Sequence, residues 1–307
     1  MKLIYMGTPD FAVPSLERLI ADGHEVALVV TQPDKPVGRK QILTPPAVKV
    51  CAMAHGLPIY QPASMKTDEC YETLAAIGAD AIVVVAYGKI LPKRILDLTP
   101  YGCVNVHGSL LPRYRGAAPV QWAVLNGDAE SGVTTMKLDE GVDTGDILLM
   151  SRCPISTSMT GGELFDLLAQ EGAALLSRTL DGLAAGKIVP VPQPTEGACY
   201  ASMLDKSMCP IDWSKDAQSV HNQVRGLNPW PVATCLLEDK TLKIYRTTLG
   251  DAVNAAPGTV VKELPLTVAC GDGNSLVVEE LQAEGSRRMA AADYLRGHPI
   301  VVGTVLR

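Results

Sequence analysis

Ala81-Ile82-Val83-Val84-Val85-Ala86 is the stretch that decides the fold. Six apolar residues without a polar break do not describe a half-solvated strand, which would alternate. They fit a strand covered on both faces, as in a parallel sheet between layers of helix. Outward from it, Leu3 to Met6 and Glu25 to Thr31 read as further strands, while Phe11 to Asp22, Ala47 to His55 and Asp68 to Ile77 read as helices. Such alternation predicts an α/β domain with a doubly wound parallel sheet. Sites in such sheets lie beyond the carboxyl ends of the strands. The segments that follow strands are Gly7-Thr8-Pro9-Asp10, Ala86-Tyr87-Gly88 and Asn105-Val106-His107-Gly108, so these are expected to converge. The opening turn has no G-x-G-x-x-G and no Walker A sequence occurs anywhere, which argues against a dinucleotide oxidoreductase.

The chain has 307 residues, long for one domain and short for three. At 47% hydrophobic and 20% charged residues it has the composition of a soluble globular protein. No apolar run is long enough to span a bilayer, and the N-terminus enters a strand pattern directly, without the layout of a signal peptide. Eight cysteines are scattered with no C-x-x-C pair, so neither a disulfide framework nor a zinc site is indicated and no metal is expected. They read as small buried hydrophobes of a reducing, cytoplasmic setting. The net charge of −6 disfavours a general nucleic-acid binder but leaves room for a local basic patch.

Pro33 to Pro46 reads as a long loop bracketed by prolines and carrying Lys35, Arg39 and Lys40. Lys187 to Glu196, with three prolines, reads as an extended linker. Beyond it, Asp216 to Leu227 is expected to be a helix. Five short β-like stretches follow: Ala233 to Leu237, Thr241 to Thr247, Gly258 to Val261, Leu266 to Cys270 and Ser275 to Leu281. That many short strands in so few residues predict a small OB-like β-barrel domain. The expected division is a catalytic α/β domain at 1–188, a linker at 189–204 and a barrel domain at 205–307.

The chemistry concentrates near Cys103 to His107. On a strand of period two, Asn105 and His107 share one face. Asp143, framed by glycines in Gly141-Val142-Asp143-Thr144-Gly145-Asp146, offers a carboxylate to the imidazole. An amide and an imidazole with a carboxylate can stabilise an oxyanion and manage a proton, which suits acyl transfer between nitrogens. Ser109 is not in a nucleophile-elbow context. A single histidine at a strand end is more often structural, but Asn105 and Asp143 reverse that reading. Asp139 and Glu140 read as solvent or hydrogen-bonding residues, Asp146 as a cap, and His24, His55, His221 and His298 as surface or packing residues.

The motifs Gly7 to Phe11, Thr31 to Pro36 with Gly38-Arg39, Val83 to Gly88, Asn105 to Ala118, Gly141 to Asp146, Asn228-Pro229-Trp230-Pro231 and Ala255 to Thr259 span the chain. In these it resembles the methionyl-tRNA formyltransferase family. Asn-x-His with a distant Asp is shared by formyltetrahydrofolate-dependent enzymes in general. The basic loop and the C-terminal domain narrow the resemblance to the tRNA enzymes.

The resemblance implies transfer of a formyl group from 10-formyltetrahydrofolate to the α-amino group of methionyl initiator tRNA, by a monomer, with Asn105, His107 and Asp143 catalytic. It implies a folate site lined by Ser109, Leu110, Leu111 and Pro112, with Tyr87, Gly88 and Ile90 adding contacts. Arg39 matches the arginine of the family's tRNA-sensing loop, with Lys40 beside it. Lys206, Lys243 and Arg246, and more loosely Arg287, Arg288 and Arg296, would serve tRNA affinity in the barrel. Arg113 and Arg115 are candidates for the folate's glutamate tail or for acceptor-end phosphates. The rival readings are a formyltransferase with a small-molecule acceptor and an RNA-binding module without catalysis.

Overall fold

The computed structural model describes residues 1–38 and 40–307. They form two compact units, one made of Met1–Gly116, Gly132–Cys153 and Phe165–Tyr200, the other of Ala117–Ser131, Pro154–Leu164 and Ala201–Arg307. The units interleave along the chain, so the segment 189–204 contains one of several crossings.

The first unit is built on a seven-stranded sheet in the order Ile147–Pro154, Glu130–Lys137, Cys103–His107, Ala81–Val85, Lys2–Gly7, Glu25–Val30, Ile59–Tyr60. From Cys103–His107 to Ile59–Tyr60 all neighbours run parallel, but Glu130–Lys137 pairs antiparallel with Cys103–His107. Unbroken apolar runs report cover on both faces, and cover does not fix direction. Residues Gly132 to Met136 are as buried as Ala81 to Val85.

Period two sorts the side chains. Ile4, Met6, Leu28, Val30, Ile82, Val84 and Cys103 cluster on one face with Cys70, Leu74 and Ile95 from the helices Asp68–Ala75 and Lys93–Leu96. Thr67 starts the first of these helices by accepting the Cys70 N–H. On the opposite face Val106 meets Gly172 of the helix Gly161–Ala184, where a Cβ would lie 2.9 Å from the Val106 Cγ1. Asn105 and His107 therefore belong to the face away from that helix.

Pro33 to Pro46, expected to be a loop, contains a two-stranded antiparallel ribbon, Lys35–Val37 against Ile42–Thr44. Its strands carry Val37, Ile42 and Leu43, β-formers that are all more than half exposed. Gly38 and Gln41 turn the ribbon with φ of 72° and 50°. Arg39 lies outside the described residues.

The second unit contains the helix Ala217–Gly226, capped by Asp216, and six antiparallel strands. Their order is Ala233–Leu237, Lys240–Leu249, Ser275–Ala283, Thr267–Ala269, Val260–Lys262, with the short strand Met289–Ala290 added to Ser275–Ala283. The segment Thr304 to Arg307 then joins the two outer strands. Leu306 bridges Leu237, and Val305 bridges Thr259. This closes the sheet into the small OB-like barrel. Its interior holds Val220, Val224, Leu242, Ile244, Val268, Leu276, Val278 and Leu281.

His221 sits inside this unit, 5% exposed. Its Nε2–H donates to the Thr157 carbonyl at 2.8 Å, which leaves Nδ1 to accept the Thr247 hydroxyl at 2.9 Å. Burial, outweighing the Thr157 carbonyl, holds its pKa below the ordinary histidine value. Unfolding raises that value to about 6.5, so the unfolded chain binds the proton more readily and stability falls as pH drops through 6.5. The expected outcome for His221→Gln is a flatter loss of stability between pH 7.5 and 5 than in the parent chain. Urea unfolding at the two pH values measures it.

Candidate active site

The strand Cys103–His107 delivers both polar side chains into the protein: Asn105 is 8% and His107 6% exposed. Burying such groups is costly unless they are hydrogen-bonded. The His107 Nε2–H donates to the Tyr114 carbonyl at 2.9 Å. That contact directs Nδ1 toward Asp143, whose Oδ2 stands 3.6 Å away. This is ion-pair range but beyond a direct hydrogen bond. Asp143 Oδ2 also accepts the Gly116 N–H at 2.8 Å. Among the described residues none holds the side-chain amide of Asn105 by a hydrogen bond. Its donors are therefore available to a bound group.

Two of the residues that compose this arrangement have left-handed backbones without being glycine: Tyr114 at φ 58° and Asp143 at 53°; Ala86, at the end of Ala81–Val85, has φ 45°. Strain of this kind persists only where surrounding contacts over-determine it, and it collects at working sites. The Asp143 loop lies flat on its own sheet because Gly145 has no side chain. A Cβ there would stand 1.8 Å from the Lys137 carbonyl oxygen. Asp139 stabilises the same loop by accepting from Gly141 N and Thr144 Oγ1, a structural role.

Of the turns after the parallel strands, those at Thr8, Gln32 and Tyr87-Gly88 meet. Thr8 Oγ1 donates to the Tyr87 carbonyl at 3.0 Å, and Gln32 Nε2 donates to the carbonyls of Tyr87 and Gly88, each at 3.1 Å. Tyr87 itself is buried, with its hydroxyl on Met65 Sδ, and burial holds the phenol well above its usual range. Its side chain thus serves the core. Gly88 is exposed at φ 80° and Ile90 is exposed.

Ser109 is fully buried and donates to the Arg113 carbonyl at 2.7 Å, so it shapes the turn. Leu110 and Pro112 are half-buried and Leu111 is buried. Thr134, on the neighbouring strand opposite His107, pins this turn. Its hydroxyl accepts the Leu111 N–H at 3.1 Å and donates to the Ser109 carbonyl at 2.7 Å.

Arg113 lies over the Tyr114 ring, 5.1 Å from its centroid. Arg115 donates through Nε and Nη2 to Gln193 Oε1. Lys40, Lys206 and Lys243 are exposed, whereas Arg246 is ion-paired with Glu163. Glu163 holds the Arg246 guanidinium above its usual range, and the carboxylate is held below its own, chiefly by its bond from the Thr160 N–H.

Six of the eight cysteines are buried. Donor atoms of Glu17, Cys51 and His55 lie within 4.8 Å of one another. Burial, with help from Glu17, keeps the Cys51 thiol above its usual range.

The residues that spacing did not point to are Tyr114, Gly116, Thr134, Gln32 and Gln193. Tyr114 and Gly116 act through backbone atoms that every residue owns. The others act through contacts distant in sequence, so no local signal marks them.

The chain matches the family described as formyl transferase over residues 1–180 and that described as formyl transferase, C-terminal domain, over residues 203–299. It is 49% identical to the methionyl-tRNA formyltransferase of Trichlorobacter lovleyi over 307 residues, 99% of this chain and 96% of the relative. It is likewise 49% identical to the methionyl-tRNA formyltransferase of Acetivibrio thermocellus over 310 residues, 100% of this chain and 99% of the relative. Among solved structures it resembles WlaRD, a sugar 3N-formyl transferase determined in the presence of dTDP and 5-N-formyl-THF. The TM-score is 0.70 at 20% identity, with 94% of this chain and 99% of that one covered. At that identity the likeness is one of fold. No helix among the described residues is long and apolar enough to cross a membrane.

Thr134→Val keeps the shape of the side chain and leaves the Leu111 N–H and the Ser109 carbonyl without their partner. Each orphaned buried group costs about 1–3 kcal/mol. Urea unfolding of the variant is expected to show a loss in that range or above, with the slope unchanged.

Proposed function

The chain belongs to the formyl transferase family, and on that premise we propose that it formylates the α-amino group of methionyl initiator tRNA, with 10-formyltetrahydrofolate as donor and Asn105, His107 and Asp143 as catalytic residues. The observation that carries this reading is the buried Asn105 and His107 on one strand face with Asp143 Oδ2 3.6 Å from His107 Nδ1. The relatives that share 49% of its residues over 96% and 99% of their length bear the name of that activity.

The nucleophile is an amine of reference pKa about 8, so a substantial neutral fraction exists near neutral pH. Its lone pair forms a bond to the formyl carbon while the carbonyl π electrons move to oxygen. The Asn105 amide donates to that oxygen. Since His107 Nε2–H is committed to Tyr114, a protonated Nδ1 is the ring donor left for the reaction. Asp143, 3.6 Å from Nδ1, receives the proton shed by the attacking nitrogen and returns it to Nδ1 once that position has given up its own. The bond from the carbon to the 10-nitrogen of the folate then breaks as that nitrogen gains a proton from His107 Nδ1. The products are formylmethionyl-tRNA and tetrahydrofolate, and no metal takes part.

Ser109, Leu110, Leu111 and Pro112 form the wall for the flat pterin, with the two leucines as its apolar part. The turn Tyr87 to Ile90 adds contacts through Gly88, Ile90 and the backbone, since the Tyr87 ring faces the core. In this reading residues 1–188 carry the chemistry in a cytoplasmic monomer, 189–204 link, and 205–307 add tRNA affinity through exposed Lys206 and Lys243. Arg246 contributes only if it exchanges Glu163 for phosphate. Arg39, with Lys40 next to it in sequence, grips the acceptor end by phosphate and base contacts.

Single-turnover formyl transfer with labelled donor is expected to fall about 10²–10³-fold in Asn105→Ala and by a similar factor or more in His107→Ala and Asp143→Asn. A near-normal rate in any of the three removes that residue from its role. Arg39→Ala is expected to raise KM for the tRNA severalfold at physiological salt with KM for the folate unchanged. Equal rates on initiator and elongator methionyl-tRNA by both proteins would exclude the sensing role.

A further inference from the structure

Gln193 lies in the proline-rich run Lys187 to Glu196, read from sequence as a linker. It is the one half-buried residue in an otherwise exposed run from Val191 to Tyr200. Its side-chain amide is fully used. The Nε2 donates to the carbonyls of Asp143 and Gly145, each at 2.8 Å. The Oε1 accepts from Arg115 Nε at 3.1 Å and Nη2 at 2.7 Å. An amide offers two N–H donors and two acceptor sites, so all four are satisfied.

The segment is held in place beside this contact. Val191 exchanges both backbone hydrogen bonds with Ile147, just past the Asp143 loop. At its other end, Arg115 N donates to the Cys199 carbonyl and Tyr114 N to Cys199 Sγ. Tyr114 and Arg115-Gly116 are the residues that hold His107 and the Asp143 carboxylate.

We infer that Gln193 is a positioning residue for the formyl transfer, clamping the Asp143 loop so that its carboxylate meets His107. This rests on the catalytic reading of Asp143 above. The clamp grips the carbonyls of residues 143 and 145, on either side of Thr144. Left alone, a non-glycine residue at φ 53° would relax to a commoner backbone and carry its carboxylate away. The two carbonyl bonds oppose that rotation. The Arg115 guanidinium polarises the Gln193 amide through Oε1 and so strengthens both donors on Nε2. Arg115 thereby acts on the Asp143 loop through the Gln193 side chain, while the Gly116 N–H holds the carboxylate directly.

Gln193→Leu keeps the bulk and removes both donors. A displacement of about 1 Å at a reacting group costs about 10²-fold in rate. The expected result is a fall in kcat of that order, with KM for methionyl-tRNA and for the folate within about twofold of the parent. A merely structural role would not produce that split. The Gly116 amide, which donates to Asp143 Oδ2, supplies a second readout independent of turnover. Its hydrogen exchange, followed by NMR in the full chain, should accelerate in Gln193→Leu toward the rate in Asp143→Ala.

In an Asp143→Ala background, Gln193→Leu should cause little further loss. Unchanged Gly116 exchange, or an undiminished loss in the Asp143→Ala background, overturns the proposal. If Gln193→Leu does not fold, Gln193→Glu decides in its place: it keeps an acceptor for Arg115 but presents no N–H to the two carbonyls. Wild-type turnover by Asp143→Ala would sink the catalytic reading instead, while Gly116 exchange would still report whether the clamp exists.

Discussion

An imidazole buried at the end of a sheet strand needs a partner for each ring nitrogen, and much of the first unit is arranged to meet that need for His107. One partner is a main-chain carbonyl, that of Tyr114, seven residues on. Reaching it forces the chain through a tight turn with a left-handed residue at Tyr114. The other is a carboxylate from a distant loop, itself held by the Gly116 N–H. Tyr114 and Gly116 flank the same short stretch, so one turn sets both the orientation of the ring and the location of the acid. A change in the path of that turn would disturb both sides of the imidazole at once.

Neighbouring strands supply the rigidity. Thr134, buried in the strand beside His107, uses one hydroxyl to tie the Ser109 carbonyl and the Leu111 N–H. Gly145 and Gly172 permit the close approaches that remain, one of loop to strand and one of helix to strand. The parallel core provides the platform: its strands are buried on both faces, and Asn105 and His107 stand in the second half of theirs. The function of the sheet is thus partly one of exclusion, since water kept from its faces is also kept from weakening the electrostatics at its rim.

The extended run between the seven-stranded sheet and the barrel in sequence illustrates how composition understates a segment's role. Its prolines do give it an extended backbone. Extended backbone also offers unpaired N–H and C=O groups, and Val191 uses them to add a bridge to Ile147. Once docked there, a single glutamine can work as a brace. A spacer and a structural strap differ only in whether a partner edge is within reach, and that is a property of the fold.

Much of this protein was legible in its residues. Uninterrupted valine and isoleucine runs announce a sheet covered on both faces, because an apolar side chain on a wet face gains nothing. Alternation places Asn105 and His107 together, because the strand period is two whatever surrounds it. The short β-like stretches after residue 230 announce a closed β structure for the same local reasons. What needed the folded chain was everything that depends on direction and closure. These include the antiparallel pairing of Glu130–Lys137, the ribbon at Lys35–Val37, the closing bridges of Val305 and Leu306, and the use of Tyr114, Gly116 and Gln193 around the acid. Those contacts are made by backbone atoms common to all residues, or by side chains far apart in sequence. Local pattern carries the periodicity of an element, and only three-dimensional packing decides which elements meet.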